Sequence, residues 1–198
     1  AVTTGVQNTL IGGLAGDGIT TGSANVALGY NSLSAAGGGN GSIAIGKNAL
    51  AAQNASGDRI NTAVGLSAGL SVTTGIQNTL IGGLAGDAVT TGSYNSLVGV
   101  NAGGATTTGV QNAAFGQGAL SLNTTGSTNT ALGDSSLANS TTASNNTAVG
   151  QAALAANTTG ANNVAVGALA LDANTTGARN TAMGKGALGV NTTAGENT

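Results

Sequence analysis

The 198-residue sequence contains no cysteine, histidine, proline or tryptophan, and charged residues make up only 5% of it. Without histidine and cysteine, the chain cannot form a nucleophile–histidine pair or a thiolate metal site. A calcium-binding β-roll needs an aspartate in each repeat, whereas here all Asp and Glu together number six. We therefore predict no catalytic residues, no cofactor and no metal site, and expect that the protein is not an enzyme.

Positive charge and long apolar runs are equally scarce. Lysine and arginine together number four and are scattered at Lys47, Arg59, Arg179 and Lys185. Nucleic-acid binding requires a clustered basic surface, so we expect no nucleic-acid partner. No apolar run approaches the ~20 residues of a membrane-spanning helix, so we expect no membrane insertion by this segment.

Glycine, by contrast, is abundant and periodic, with 36 residues in the chain. One glycine recurs at a spacing of 17 residues in every step but one, which is 19 residues long. These glycines are Gly12, Gly29, Gly46, Gly65, Gly82, Gly99, Gly116, Gly133, Gly150, Gly167 and Gly184. Such a period indicates a single repeat array over residues 1–198. Because the chain begins and ends inside a repeat, we expect it to be a fragment of a longer fibre protein.

The repeat has the consensus N-T-A-[VIL]-G-x-x-A-L-x-x-N-T-T-G-x-x, which we number as positions 1 to 17 from the asparagine. Short apolar or threonine-rich segments closed by glycine and asparagine are typical of strands and tight turns. The sequence therefore predicts an all-β fold, a parallel β-solenoid of about eleven 17-residue coils. We expect two strands of four to five residues in each coil.

The first predicted strand is apolar on both of its faces. Position 4 is always large, as in Ile45 and Phe115, and position 3 is always alanine or leucine, as in Ala44. Since successive strand residues face opposite ways, both faces should be buried. We expect one face to fill the coil, and the small alanines of the other to pack closely against another copy of the chain.

Position 1 is asparagine in every repeat except the one that begins at Ser42. Stacked amides can form a hydrogen-bonded ladder along a rod, which predicts a structural role. The predicted ladder comprises Asn8, Asn25, Asn61, Asn78, Asn95, Asn112, Asn129, Asn146, Asn163 and Asn180. A row of ligand-binding amides is the alternative.

The long step between Gly46 and Gly65 contains two extra residues. Insertions in solenoids form loops on one face, and such loops often carry binding. We therefore mark Asn54, Asp58 and Arg59 as a candidate surface loop, with a tolerated insertion as the simpler alternative.

Two motifs, S-I-A-I-G-K-N-A over residues 42–49 and the repeated N-T-A-V-G-x-x-A-L-x-x-N-T-T-G, resemble two related families. One comprises the heads of trimeric autotransporter adhesins, which form a left-handed parallel β-roll in a three-fold complex. The other comprises phage tail-fibre-like repeat proteins, whose unit length is closer to 17 residues. The resemblance implies a homotrimeric fibre outside the cell, on a virion or a bacterial surface. It also implies attachment to a host, with a cell-surface receptor or a glycan as partner.

The sequence thus favours a structural and adhesive fibre segment. The alternative is an ice-binding or other non-catalytic surface-binding solenoid that uses the threonine pairs of positions 13 and 14. Breaks at Ala36-Gly37-Gly38 and at Ala143 argue against it. A polysaccharide lyase on a β-helix is a third possibility, but the scarcity of acidic, basic and aromatic residues argues against that one.

Overall fold

A computed structural model describes residues 2–35 and 37–198. The predicted fold is confirmed: the chain is an all-β parallel β-solenoid whose coils are spaced about 17 residues apart. Each coil contributes one strand to a sheet of 11 strands, and neighbouring strands pair in parallel. Pairing joins equal repeat positions, as Ala131 pairs with Ala148 and Leu132 with Val149. The regular period therefore fixes the register of the whole sheet.

Thirteen strands lie in the described part of the chain, and eleven of them form the main sheet. These eleven are β1 (Thr9–Ile11), β2 (Val26–Leu28), β4 (Ile43–Ile45), β6 (Thr62–Val64), β7 (Thr79–Ile81), β8 (Ser96–Val98), β9 (Ala113–Phe115), β10 (Thr130–Leu132), β11 (Thr147–Val149), β12 (Val164–Val166) and β13 (Thr181–Met183). The other two, β3 (Gly39–Asn40) and β5 (Gly57–Asp58), pair with each other beside it.

The expectation of two strands of four to five residues per coil is wrong. The main-sheet strands have three residues, and the second segment curls through left-handed residues at positions 7 and 9. In coil 7, for example, these are Gly118 and Leu120, with φ of 62° and 57°. The curled segment still bonds coil to coil, since the amide of Leu120 donates to the carbonyl oxygen of Ser136 at 2.9 Å. Alternating left-handed residues thus replace the second strand.

The periodic glycine at position 5 ends each strand of the main sheet. Gly99 has a φ of 135°, which L-residues with a side chain rarely adopt. A Cβ there would also lie 2.4 Å from the carbonyl oxygen of Gly116 in the next coil. Both the backbone angle and the close stacking of coils therefore require glycine at this position.

The two faces of the strand are oriented opposite to the expectation. Position 3 points into the coil, and Ala114 and Ala131 are fully buried. Position 4 points outward, so Phe115 and Leu132 are 42% and 47% exposed. The reason is the narrow interior, which already holds the buried leucine of position 9, such as Leu120. Alanine therefore fills the remaining core space, and the large residues line the outer surface.

Candidate interaction surface

The outer face of the main sheet carries one large apolar side chain per strand. We call these position-4 residues the apolar ladder; they are Ile11, Leu28, Ile45, Val64, Ile81, Val98, Phe115, Leu132, Val149, Val166 and Met183. All are half-buried or exposed. Strands lie ~4.8 Å apart and rise ~3.4 Å per residue, so the outer face is a strip of roughly 500 Å². It bears no charged side chain at positions 2 or 4.

The border of this strip changes along the axis. In coils 1 to 6, exposed apolar side chains extend it at positions 6 and 7; they are Leu14, Tyr30, Leu66, Leu84 and Val100. In coils 7 to 11, position 6 carries Gln117, Asp134, Gln151, Ala168 and Lys185. The apolar surface is therefore wider in the amino-terminal part of the solenoid.

The position-1 asparagines lie inside the coil and bond to one another. The Nδ2 group of Asn146 donates to Oδ1 of Asn129 at 3.3 Å and to the carbonyl oxygen of Gly160 at 2.9 Å. Its Oδ1 accepts the backbone amide of Asn163 at 2.9 Å. From coil 4 onward these asparagines are almost completely buried. Their amides face the interior, so they are not accessible to a ligand.

Coil 3, which has Ser42 at position 1, bridges its missing amide with a second residue. Buried Gln53 accepts from Nδ2 of Asn61 at 2.9 Å, and its own Nε2 donates to Oγ of Ser42 at 3.0 Å. The sequence reasoning did not identify Gln53. One signal was available, because the single coil without asparagine at position 1 is also the single coil with glutamine at position 12.

The candidate surface loop is a bulge on the side of the coil. Asp58 lies in β5, where its Oδ1 accepts from Nδ2 of Asn40 at 3.1 Å. The Arg59 guanidinium donates to the carbonyl oxygen of Thr74 at 3.0 Å, and also contacts that of Ser56. Asn54 is exposed. Arg59 therefore bonds to backbone, and the loop's use as a binding site stays a prediction.

The threonine columns are more regular than the sequence reasoning assumed. Ala143 does not interrupt them, because it occupies the buried position of the second glycine and accepts from Nδ2 of Asn129 at 2.9 Å. Threonine fills positions 13 and 14 in eight successive coils, from residues 73–74 to residues 192–193. The position-13 hydroxyls bond along the axis, as Thr124 Oγ1 donates to the carbonyl oxygen of Thr141 at 3.0 Å. Gly37 and Gly38 interrupt the columns in coil 2, while Ala36 lies outside the described residues.

Charged groups are isolated over the described surface. Arg179 and Glu196 form an exposed ion pair at 2.5 Å. Burial raises the pKa of the half-buried Asp87 carboxyl, against hydrogen bonds from the Asp87 and Ala88 backbone that lower it. Within residues 2–35 and 37–198, no three acidic side chains are grouped so that they could hold a metal ion, and no pocket opens on the surface.

The search for membrane segments found no helix in the described chain that is long and apolar enough to span a bilayer. No family model, curated protein or solved structure matches the chain. The dominant surface feature of the molecule is therefore the apolar ladder, and a functional proposal must account for it.

Proposed function

We propose that this chain is a structural and adhesive fibre segment that assembles as a homotrimer outside the cell, on a virion or a bacterial surface. The observation that carries the proposal is the apolar ladder. Large exposed apolar patches of a monomer mark surfaces that associate with a partner. The resemblance of the repeats to adhesin heads and tail-fibre-like arrays supports the trimeric form.

A second copy of the same chain is the partner that fits this surface best. Its ladder has the same ~4.8 Å spacing between strands, so large side chains of one copy meet those of the next along the whole rod. A typical stable interface buries about 800 Å² per partner. The strip of roughly 500 Å² and its apolar border on coils 1 to 6 together approach that area.

The proposed mechanism is geometric. A stack of coils is a stiff rod, and eleven strands at ~4.8 Å extend it by about 50 Å. Three such rods packed along their ladders would hold a receptor-binding or glycan-binding end away from the particle. Equivalent sites repeated along the fibre would add avidity to weak contacts.

The test is the mass of the folded chain in solution. Light scattering should give three times the 18.3 kDa of one chain. The variant Leu132→Asp should dissociate into folded monomers, because it places a carboxylate within the apolar interface. The control Thr142→Asp adds the same charge on an exposed threonine and should leave the trimer intact. A folded wild-type monomer, or a trimer that tolerates Leu132→Asp, would contradict the proposal.

Ice binding is a second candidate, favoured by the eight uninterrupted threonine pairs. Position-14 threonines are exposed in each of these coils, and the position-13 hydroxyls that bond to carbonyl oxygens fix their side chains. The result is an uncharged, regularly spaced row of hydroxyl and methyl groups. Thermal hysteresis of the wild-type chain, lost when Thr125 and Thr142 are both replaced by lysine, would favour this function over the adhesive fibre.

A further inference from the structure

A second line of amides lies inside the carboxy-terminal coils, at position 12. Asn174 Nδ2 donates to Oδ1 of Asn157 at 3.0 Å, and Asn191 Nδ2 donates to Oδ1 of Asn174 at 3.0 Å. Each amide also bonds within its own coil, as Asn174 Nδ2 donates to the carbonyl oxygen of Gly177 at 3.0 Å. A complete rung therefore uses both N–H groups of one asparagine and the oxygen of the asparagine before it.

The line is interrupted in coil 8, where position 12 is Ser140. The buried Oγ of Ser140 and the buried Oδ1 of Asn123 in coil 7 have no hydrogen-bond partner within the protein. On the other side, Asn157 Nδ2 donates to the carbonyl oxygen of Gly160 at 2.9 Å. By the geometry of the rung above it, the second N–H of Asn157 points along the axis toward Ser140. Three polar groups of successive coils therefore converge on one buried point.

We propose that this point is a binding site for a single water molecule. A buried water typically makes about three hydrogen bonds to otherwise unsatisfied groups, and the site supplies three. The water would donate to Oδ1 of Asn123, accept from Nδ2 of Asn157 and exchange a hydrogen bond with Oγ of Ser140. Serine has two heavy atoms fewer than the asparagine it replaces in this line, which provides the space.

A cation is the wrong occupant for this site. The Asn157 Nδ2 group presents a hydrogen, which repels a cation, and cation sites in proteins are built from carboxylate and carbonyl oxygens. The buried side chains of the same coil include Leu137 and Ser136, which are neutral. An apolar occupant would leave the Asn123 and Asn157 groups unpaired.

The test compares two substitutions with opposite expectations. Ser140→Asn should complete the line and expel the water, raising the equilibrium constant for folding. Ser140→Val should also expel the water but leave Asn123 and Asn157 unpaired. It should lower that constant about 5- to 100-fold, the range expected for a buried polar group without a partner. Valine is compatible with this backbone position, because Val72 and Val89 occupy it in coils 4 and 5.

The direct measurement is the nuclear Overhauser effect between the Asn157 side-chain amide and a long-lived water. We expect a cross-peak for Asn157 in the wild type, none in Ser140→Asn, and none for the Asn174 side chain, which serves as the internal control. A wild-type chain without this cross-peak would overturn the proposal. So would a Ser140→Val variant as stable as the wild type, since a dry site gains from losing an unpaired hydroxyl.

Discussion

Two groups of coils fill the same interior in opposite ways. In coils 1, 5 and 6, leucine at position 3 faces glycine at position 9, and position 12 is isoleucine, valine or threonine. In coils 7 to 11, alanine at position 3 faces leucine at position 9, and position 12 is asparagine or serine. The backbone is the same, since Gly103 and Leu120 hold position 9 with φ of 57° in both groups.

The difference shows that the coil conserves interior volume rather than residue identity. A Cβ on Gly103 would lie 2.6 Å from Cδ1 of Leu97, so leucine does not fit at both positions. Coil 4 extends the rule to neighbouring coils. It has Ala63 and Gly69 together, and a Cβ on Gly69 would lie 2.6 Å from Cδ1 of Leu80 and 3.0 Å from Cδ2 of Leu50. Leucines of the adjacent coils therefore occupy the space that coil 4 leaves.

The largest effect is expected when the exchange is made in one coil by halves. Leu97→Ala removes a fully buried side chain next to Gly103 and should cost about 2–5 kcal/mol of unfolding free energy. Adding Gly103→Leu converts coil 6 to the composition of coil 7 and should restore more than half of that loss. Denaturant unfolding of the single and double variants measures both values.

The single variant Gly103→Leu completes this cycle. It should destabilise the chain by about 1–3 kcal/mol, because leucine is inserted against an intact Leu97. Additive effects of the two substitutions would show that positions 3 and 9 do not share one volume, and would contradict the comparison.

A smaller effect is expected from exchanging the position-12 residues between the two groups. Asn157→Val should cost about 1–3 kcal/mol, because it leaves an N–H of Asn174 without its acceptor. Val89→Asn should also destabilise, since its amide would lie between Val72 and Thr106 in a column without other amides. The same change at exposed Asn139, Asn139→Val, should stay within about 0.5 kcal/mol. A neutral Asn157→Val would show that the line of amides is dispensable.

The smallest effect concerns Asp87 of coil 5, whose carboxyl pKa is raised by burial. The folded chain holds this proton more tightly than the unfolded chain. Its contribution to stability is therefore present below the model value of 3.8 and is lost as the pH rises through the higher folded pKa. Asp87→Asn should remove this pH dependence and raise the unfolding midpoint at neutral pH relative to the wild type. The control is Asp134→Asn at the exposed position 6 of coil 8. If stability instead rose with pH through this window because of Asp87, the assigned direction would be wrong.

The architecture was predictable because the 17-residue period leaves few ways to stack. Equal residues such as Ala131 and Ala148 must pair when each coil has the same length. The direction of the strand faces was not predictable in the same way, since position 3 and position 4 are both apolar. The compensating Gln53 was also missed, because its partners Ser42 and Asn61 become neighbours only when the coils stack.

By itself, the sequence determined the repeat, the parallel sheet and the glycine that ends each strand, because these follow from spacing and from backbone conformation. Only the tertiary structure decided that alanine lies inside and the apolar ladder outside. That outcome depends on how much volume Leu120 and its equivalents already occupy within a narrow coil. The candidate interaction surface is thus a consequence of packing, which the alternation of residues along the strand does not encode.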